Sequence, residues 1–309
     1  MIKKWLQGGI LLAGMLCLAG GCAFPPASLP AATPAAAAGT ATALSLSTAL
    51  PPTAQTTPSP TPTSAFTPTE SPCTQNGTFE DLEADLSDPE ASIQARVYLP
   101  PCYDTGRKTG YPVLYLLHGQ TYDQNQWIDL GAAETADRLI RPGEIPPFLI
   151  VFPYESQWNF GPEKSTFGAV LADGLVPAVD ERYHTCVERG CRAIGGLSRG
   201  GNWAIHLGFE RWEVFGVIGA HSAPIFYGDL EKLAGWLALI PQGLLPRVMI
   251  DAGRKDPELQ YMAAFEKELT RLNVPHEWYM FNGYHEAAYW SAHLEFYLKW
   301  YSESWADAR

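Results

Sequence analysis

Residues 192–201, Arg-Ala-Ile-Gly-Gly-Leu-Ser-Arg-Gly-Gly, constrain this chain more than any other stretch. Gly196-Leu197-Ser198-Arg199-Gly200 has the pattern G-x-S-x-G. It follows a short apolar run and precedes Asn202–Leu207, which reads as a helix. A serine at such a strand-to-helix turn needs a strained backbone, and glycines two before and two after let the turning chain pass close to itself. The turn lifts the hydroxyl above the sheet edge and aims the backbone N–H groups that follow at the same point. An uncharged serine is a weak nucleophile and its tetrahedral adduct carries an oxyanion, so the chemistry needs both features. A glycine-rich turn without chemistry is the competing reading, and the flanking strand and helix favour the nucleophile.

The surrounding pattern supplies the sheet that such a turn requires. Ile93, Ala95, Val97 and Leu99 alternate with polar neighbours, as in a half-exposed strand that hairpins with Phe79–Leu86. Val113–Leu117 and Phe148–Phe152 are continuous apolar runs, expected of parallel strands covered on both faces. Helices are expected near 131–141 and 167–181. Beyond the turn, strands are expected at Phe215–Ala220, Arg247–Ile250 and His276–Phe281. Strand and helix alternate after an antiparallel start, which predicts an α/β fold built on a doubly wound, mostly parallel sheet.

A serine nucleophile needs a histidine base, and the base needs an acid that fixes its tautomer. On this kind of sheet the chain order is serine, acid, histidine. Of His206, His221, His276, His285 and His293, only His285 lies in a loop after the final strand. The acid should follow the penultimate strand, where both Asp251 and Asp256 stand. Asp256 is favoured because it lies farther into the loop, beyond Gly253. Asp251 is read as a cap or brace. The oxyanion would be bound by the N–H of Arg199 and by a second N–H, expected from Gln120, in the loop after Leu117-His118-Gly119. His285-Glu286-Ala287-Ala288-Tyr289 has tyrosine where the zinc motif H-E-x-x-H needs its second histidine, so no metal and no cofactor are expected.

Taken in order, Tyr111–Gly119, the Gly196–Gly201 turn, Gly253-x-x-Asp256 and Gly283-x-His285 resemble the putative esterase family of α/β-hydrolases. That family includes esterase D, feruloyl esterases, enterochelin esterases and mycolyltransferases. The resemblance covers roughly residues 75 to 305. It implies an α/β-hydrolase fold, the triad Ser198, Asp256 and His285, and main-chain oxyanion donors at Gln120 and Arg199. Two departures stand out: Arg199 where methionine is common, and Gln120-Thr121-Tyr122 in place of a glycine-rich continuation.

The N-terminal part reads differently. Lys3 and Lys4 precede an apolar run from Leu6 to Leu18 that is too short to span a bilayer comfortably. Ala19-Gly20-Gly21-Cys22 then resembles a bacterial lipoprotein signal, with cleavage before Cys22 and lipidation of its thiol. An ordinary secretory signal is the alternative, and either implies export. Residues 23–72 read as a Pro-, Thr- and Ala-rich linker; its first 47 positions, 23–69, carry no charge, and such a composition is expected to bury too little apolar surface to order. Residues 73–309 form the enzyme domain. The whole chain has a net charge of −12, and only Lys3, Lys4 and Glu70 precede Cys73, so the domain is acidic and no nucleic-acid partner is expected. Cys73, Cys102, Cys186 and Cys191 read as two disulfides in an exported chain. Four cysteines allow three pairings. The short turn between Cys186 and Cys191 favours pairing those two, which leaves Cys73 with Cys102.

Trp127, Trp158, Trp203 and Tyr284 are expected near the carboxyl edge of the sheet, where aromatic rings stack on sugars and phenolic acids; core packing is the plainer reading of such residues. The expected substrate is a small-molecule or carbohydrate ester, and the expected activity is serine esterase chemistry through an acyl-enzyme. An acyltransferase on the same machinery and a surface-tethered binding module are the alternatives.

Overall fold

The computed structural model describes residues 73–86 and 91–306. The expected signal, the lipidation of Cys22 and the linker lie outside the described residues.

Eight strands form one sheet in the order β1-β2-β4-β3-β5-β6-β7-β8. β1 (Thr78–Asp85) and β2 (Ser92–Leu99) make an antiparallel hairpin, in register from Thr78 opposite Leu99 to Asp85 opposite Ser92. β2 pairs antiparallel with β4 (Leu149–Pro153). From β4 onward every pairing is parallel, through β3 (Val113–Leu117), β5 (Arg192–Leu197), β6 (Val217–His221), β7 (Arg247–Gly253) and β8 (Glu277–Phe281). The carboxyl ends of these strands therefore share one edge, and the loops that leave them share one surface.

Successive strand residues point to opposite faces. Val113, Tyr115 and Leu117 join one apolar core; Leu114 and Leu116 join the other. Both faces are thus covered, which is why β3 and β4 read as unbroken apolar runs. On one face lie α5 (Arg199–Glu210) and α7 (Leu259–Arg271), whose Ala204, Ile205, Leu207, Phe265 and Leu269 are buried. On the other lie α2 (Ala132–Ile140) and α8 (Ala287–Glu303), through Ala136, Leu139, Leu294 and Leu298. Each fully buried aliphatic side chain contributes roughly 1.5–3 kcal/mol relative to exposure, so a charge at Leu114 would break the packing of β3. The remaining α-helices among the described residues are α1 (Gln126–Asp129), α3 (Phe167–Ala169), α4 (Val176–Arg182) and α6 (Asp229–Leu239), with a π-helical stretch, Val170–Leu175, joining α3 to α4.

Cys73 is bonded to Cys102 and Cys186 to Cys191. The first bond ties the chain entering β1 to the end of β2. The second sits immediately before β5. One strand departs from the sequence reading in a way that matters for the site: β7 runs on to Gly253, so Asp251 belongs to a strand and its side chain is fully buried.

Candidate active site

Ser198 stands between β5 and α5 with φ 52° and ψ −123°. That region disfavours residues with a Cβ, at a cost of about 1–3 kcal/mol that the surroundings must hold. They hold it with hydrogen bonds on both sides: the Ser198 N–H donates to the His221 carbonyl at 2.9 Å, and the Ser198 carbonyl accepts from Asn202 N–H at 3.0 Å. A Cβ at Gly196 would lie 2.4 Å from the Gly200 carbonyl carbon, and one at Gly200 would lie 2.3 Å from the Leu117 oxygen. Close approach of backbone to backbone therefore demands both glycines of the motif.

The loop leaving β3 passes beside this turn, since a Cβ at Gly119 would stand 3.6 Å from that of Ser198. Glu155 N–H donates to His118 Nε2 at 2.9 Å. Nε2 is then an acceptor, so Nδ1 carries the proton and donates to the Gly119 carbonyl at 2.8 Å. The same carbonyl accepts from Tyr122 N–H at 3.2 Å, and Gly119 N–H donates to Gln126 Oε1 at 2.7 Å. In a trans peptide the C=O and the following N–H point in opposite directions. Fixing the Gly119 carbonyl thus fixes the direction of Gln120 N–H. Burial pushes the His118 imidazolium pKa down, which preserves the acceptor at Nε2.

Arg199 follows Ser198 directly, and its cation is already engaged. Nε donates to Glu155 Oε2 at 2.7 Å, Nη2 donates to the other carboxylate oxygen and to the Phe160 carbonyl, and the guanidinium lies 5.2 Å from the Phe226 ring centre. Sequence reasoning missed Glu155. The available signal was a lone carboxylate two residues beyond a fully apolar strand, where an unpaired charge would be costly.

At the far side of the edge, His285 Nδ1 lies 2.9 Å from Asp256 Oδ2. Asp256 Oδ1 accepts from Glu258 N–H at 2.9 Å. Burial raises the carboxyl pKa of Asp256, but the bonds from His285 and Glu258 and the nearby Ser222 hydroxyl outweigh it and hold the group below the usual range. The Asp256 and His285 loops are joined by main-chain bonds, Arg254 N–H to Phe281 O at 2.8 Å and Lys255 N–H to Gly283 O at 3.0 Å. Trp290 meets the His285 ring edge-on at 5.1 Å. Of the two carboxylates left open by the sequence, Asp256 is the one that faces His285. Asp251 binds His221, Tyr289 and Tyr297 instead.

Two aromatic expectations are corrected. Trp127 and Trp203 are each 1 % exposed, so neither offers a ring face to a ligand. Trp127 donates its indole N–H to the Leu117 carbonyl at 2.8 Å and packs on His221 and Tyr297. Trp203 packs between Phe167 and Phe226. Trp158 is half-buried and Tyr284 exposed, both on loops that leave the carboxyl edge.

A mostly parallel eight-stranded sheet, with the serine turn after β5, the carboxylate after β7 and the histidine after β8, defines an α/β-hydrolase. The model of the family described as "Putative esterase" matches residues 87–301, and the chain belongs to that family. A stretch of 148 residues is 36% identical to an endo-1,4-beta-xylanase/feruloyl esterase of Xylanibacter ruminicola, covering 45% of this chain and 20% of that protein. The aligned part thus spans a fifth of that curated relative. Among solved structures, the feruloyl esterase module from Clostridium thermocellum, complexed with sinapinate, is similar with a TM-score of 0.64 at 19% identity, over 74% of this chain and 89% of that one. A ferulic acid esterase from Anaeromyces mucronatus in complex with ferulic acid gives 0.61 at 21% identity, over 75% and 93%. At these identities the structural likeness speaks to the fold. No helix among the described residues is long and apolar enough to cross a membrane.

Proposed function

We propose that the domain is an exported serine esterase that cleaves aromatic or acyl esters of carbohydrates through Ser198, His285 and Asp256. The observation that carries this reading is the bond between His285 Nδ1 and Asp256 Oδ2, at the sheet edge that also presents Ser198. Held by Asp256, the imidazole keeps its proton on Nδ1 and leaves Nε2 to take the Ser198 proton as the hydroxyl attacks the ester carbonyl. The N–H groups of Gln120 and Arg199 bind the resulting oxyanion. The protonated His285 then gives its proton to the departing alcohol. Water, activated by the same imidazole, releases the acid from the acyl-serine and restores the enzyme.

The rim supports an aromatic acid joined to a sugar. Tyr122, Phe160, Tyr227 and Tyr284 are exposed, on the loops that leave β3, β4, β6 and β8. Exposed rings on four loops at one edge suit stacking on a phenolic acid or a sugar face. The related proteins named above as feruloyl or ferulic acid esterases point the same way. Two disulfides and the N-terminal signal pattern support export.

The test is a panel of feruloyl, sinapoyl, acetyl and longer acyl esters of methanol and of arabinose, with and without added sugar acceptor. Preferential release of free hydroxycinnamic acid from the sugar esters is expected. Turnover confined to the methanol esters, or product formed only when acceptor is present, would reject the substrate class or the hydrolytic outcome respectively.

A further inference from the structure

Four residues beyond His285, Tyr289 enters the buried side of α8. Its hydroxyl donates to Asp251 Oδ2 at 2.6 Å. The same oxygen accepts from the Tyr297 hydroxyl at 2.9 Å, and Asp251 Oδ1 faces His221 Nδ1 at 2.6 Å. Asp251 is therefore a fixed point inside β7, five residues ahead of Asp256.

The ring of Tyr289 does something its hydroxyl alone would not reveal. It lies directly under Gly283, where a Cβ would stand 2.5 Å from Tyr289 Cδ2. Gly283 has φ 151°, lies two residues before His285, and accepts Lys255 N–H from the Asp256 loop. One tyrosine thus touches the histidine loop with its ring and the acid's strand with its hydroxyl. Tyr297 offers a natural contrast. It bonds to the same carboxylate oxygen, but its ring stacks on His221 at 3.9 Å rather than under Gly283.

We infer that Tyr289 is a positioning residue, whose bond to Asp251 and contact with Gly283 set the His285 loop against the Asp256 loop. This rests on the reading of His285 as the base. Without the Tyr289 hydroxyl the ring can rock and Gly283 loses its floor, while the main-chain bonds between the loops remain. A displacement of a catalytic group by about 1 Å can cost on the order of 100-fold in rate, and with the main-chain bonds intact about tenfold is expected.

The experiment compares Tyr289→Phe with Tyr297→Phe, using p-nitrophenyl acetate turnover, the melting temperature and the low-field proton resonance of the His285–Asp256 bond. Each variant removes one hydrogen bond to the same oxygen, so similar losses of melting temperature are expected. Tyr289→Phe should lower kcat about tenfold with KM within about twofold, and should broaden or shift the low-field resonance. Tyr297→Phe should keep kcat within about threefold and the resonance in place. Gly283→Ala presses on the same ring and also strains its own backbone at φ 151°, so a kcat loss is expected there on two grounds and only an unchanged kcat is decisive. Should Tyr289→Phe fail to fold, Tyr289→Leu, which keeps bulk under Gly283 without the hydroxyl, takes its place. Equal kcat losses in the two tyrosine variants, or a Gly283→Ala enzyme with kcat unchanged, would overturn the inference. Fluorophosphonate labelling of the wild type separates the two levels. A wild type that does not label at Ser198 removes the serine reading and this inference with it. A labelled wild type with indistinguishable tyrosine variants removes the inference alone.

Discussion

Arg199 Nε donates to Glu155 Oε2 at 2.7 Å, placing a nearly buried, two-pronged ion pair one residue beyond Ser198. Breaking such a pair from one side leaves an uncompensated charge in a poorly solvated place, which costs about 3–5 kcal/mol. Arg199→Met and Glu155→Gln should each lower stability by roughly that amount, and the double variant should lose less than the sum by about 2 kcal/mol or more. Urea unfolding of all four proteins checks this. A strictly additive double variant would show that the two charges do not depend on each other.

His118 is bonded to the main chain on both ring nitrogens, and in the proposed mechanism this orients the Gln120 N–H as an oxyanion donor. His118→Ala leaves the Gly119 carbonyl with the Tyr122 N–H as its one remaining partner among the described residues, and should let the Gln120 N–H turn away from the oxyanion. Because removing one oxyanion donor outright costs about 100- to 1,000-fold in kcat, misdirecting it should cost about 10- to 100-fold with little change in KM. Steady-state kinetics on an aryl ester reads the split. A change confined to KM would place His118 in substrate binding instead.

Asp256 and Asp251 stand five residues apart and are expected to fail differently. Asp256→Asn favours the wrong imidazole tautomer, so turnover should fall roughly 1,000- to 10,000-fold with only a small change in melting temperature. Asp251→Asn weakens a fully buried hydrogen-bonded group with three partners, and should cost about 2–4 kcal/mol of stability. Its effect on kcat should be nearer to that of Tyr289→Phe than to that of Asp256→Asn. Kinetics and thermal melts on both variants distinguish the roles.

The fold was legible where burial follows the strand period. β3 and β4 are apolar on both faces and read as parallel strands; β1 and β2 alternate and read as a hairpin. The end of β7 was not legible, because Asp251-Ala252-Gly253 looks like turn chemistry until Tyr289 and Tyr297, contributed by α8, supply partners for a strand carboxylate. Trp127 was misread for a related reason: nearness to a loop in sequence does not say which way a ring points, and its indole N–H is held by the Leu117 carbonyl. The strained turn at Ser198 and the facing loops of His285 and Asp256 were legible because chain order and turn glycines restrict them. Glu155 and His118 were not, since their roles arise from bonds across 44 and 37 residues of separation.

The lowered pKa of Asp256 gives a signed pH effect. A carboxyl held lower in the folded state contributes stability that is fully present above its unfolded value of about 4 and is lost as pH falls through the folded value. The melting temperature of the wild type should therefore drop more steeply than that of Asp256→Asn below about pH 4, and the two curves should converge. Parallel curves from pH 6 to 2.5 would mean that Asp256 binds protons equally in the folded and unfolded states.

Covalent capture shows which residue is the nucleophile. A fluorophosphonate probe incubated with the intact protein, followed by peptide mapping, should place a single adduct on Ser198. Ser198→Ala should take up no probe and lose about 10,000-fold or more in ester turnover while keeping its melting temperature. An adduct at another residue, or a folded Ser198→Ala protein that retains a tenth of the wild-type turnover, would contradict the account.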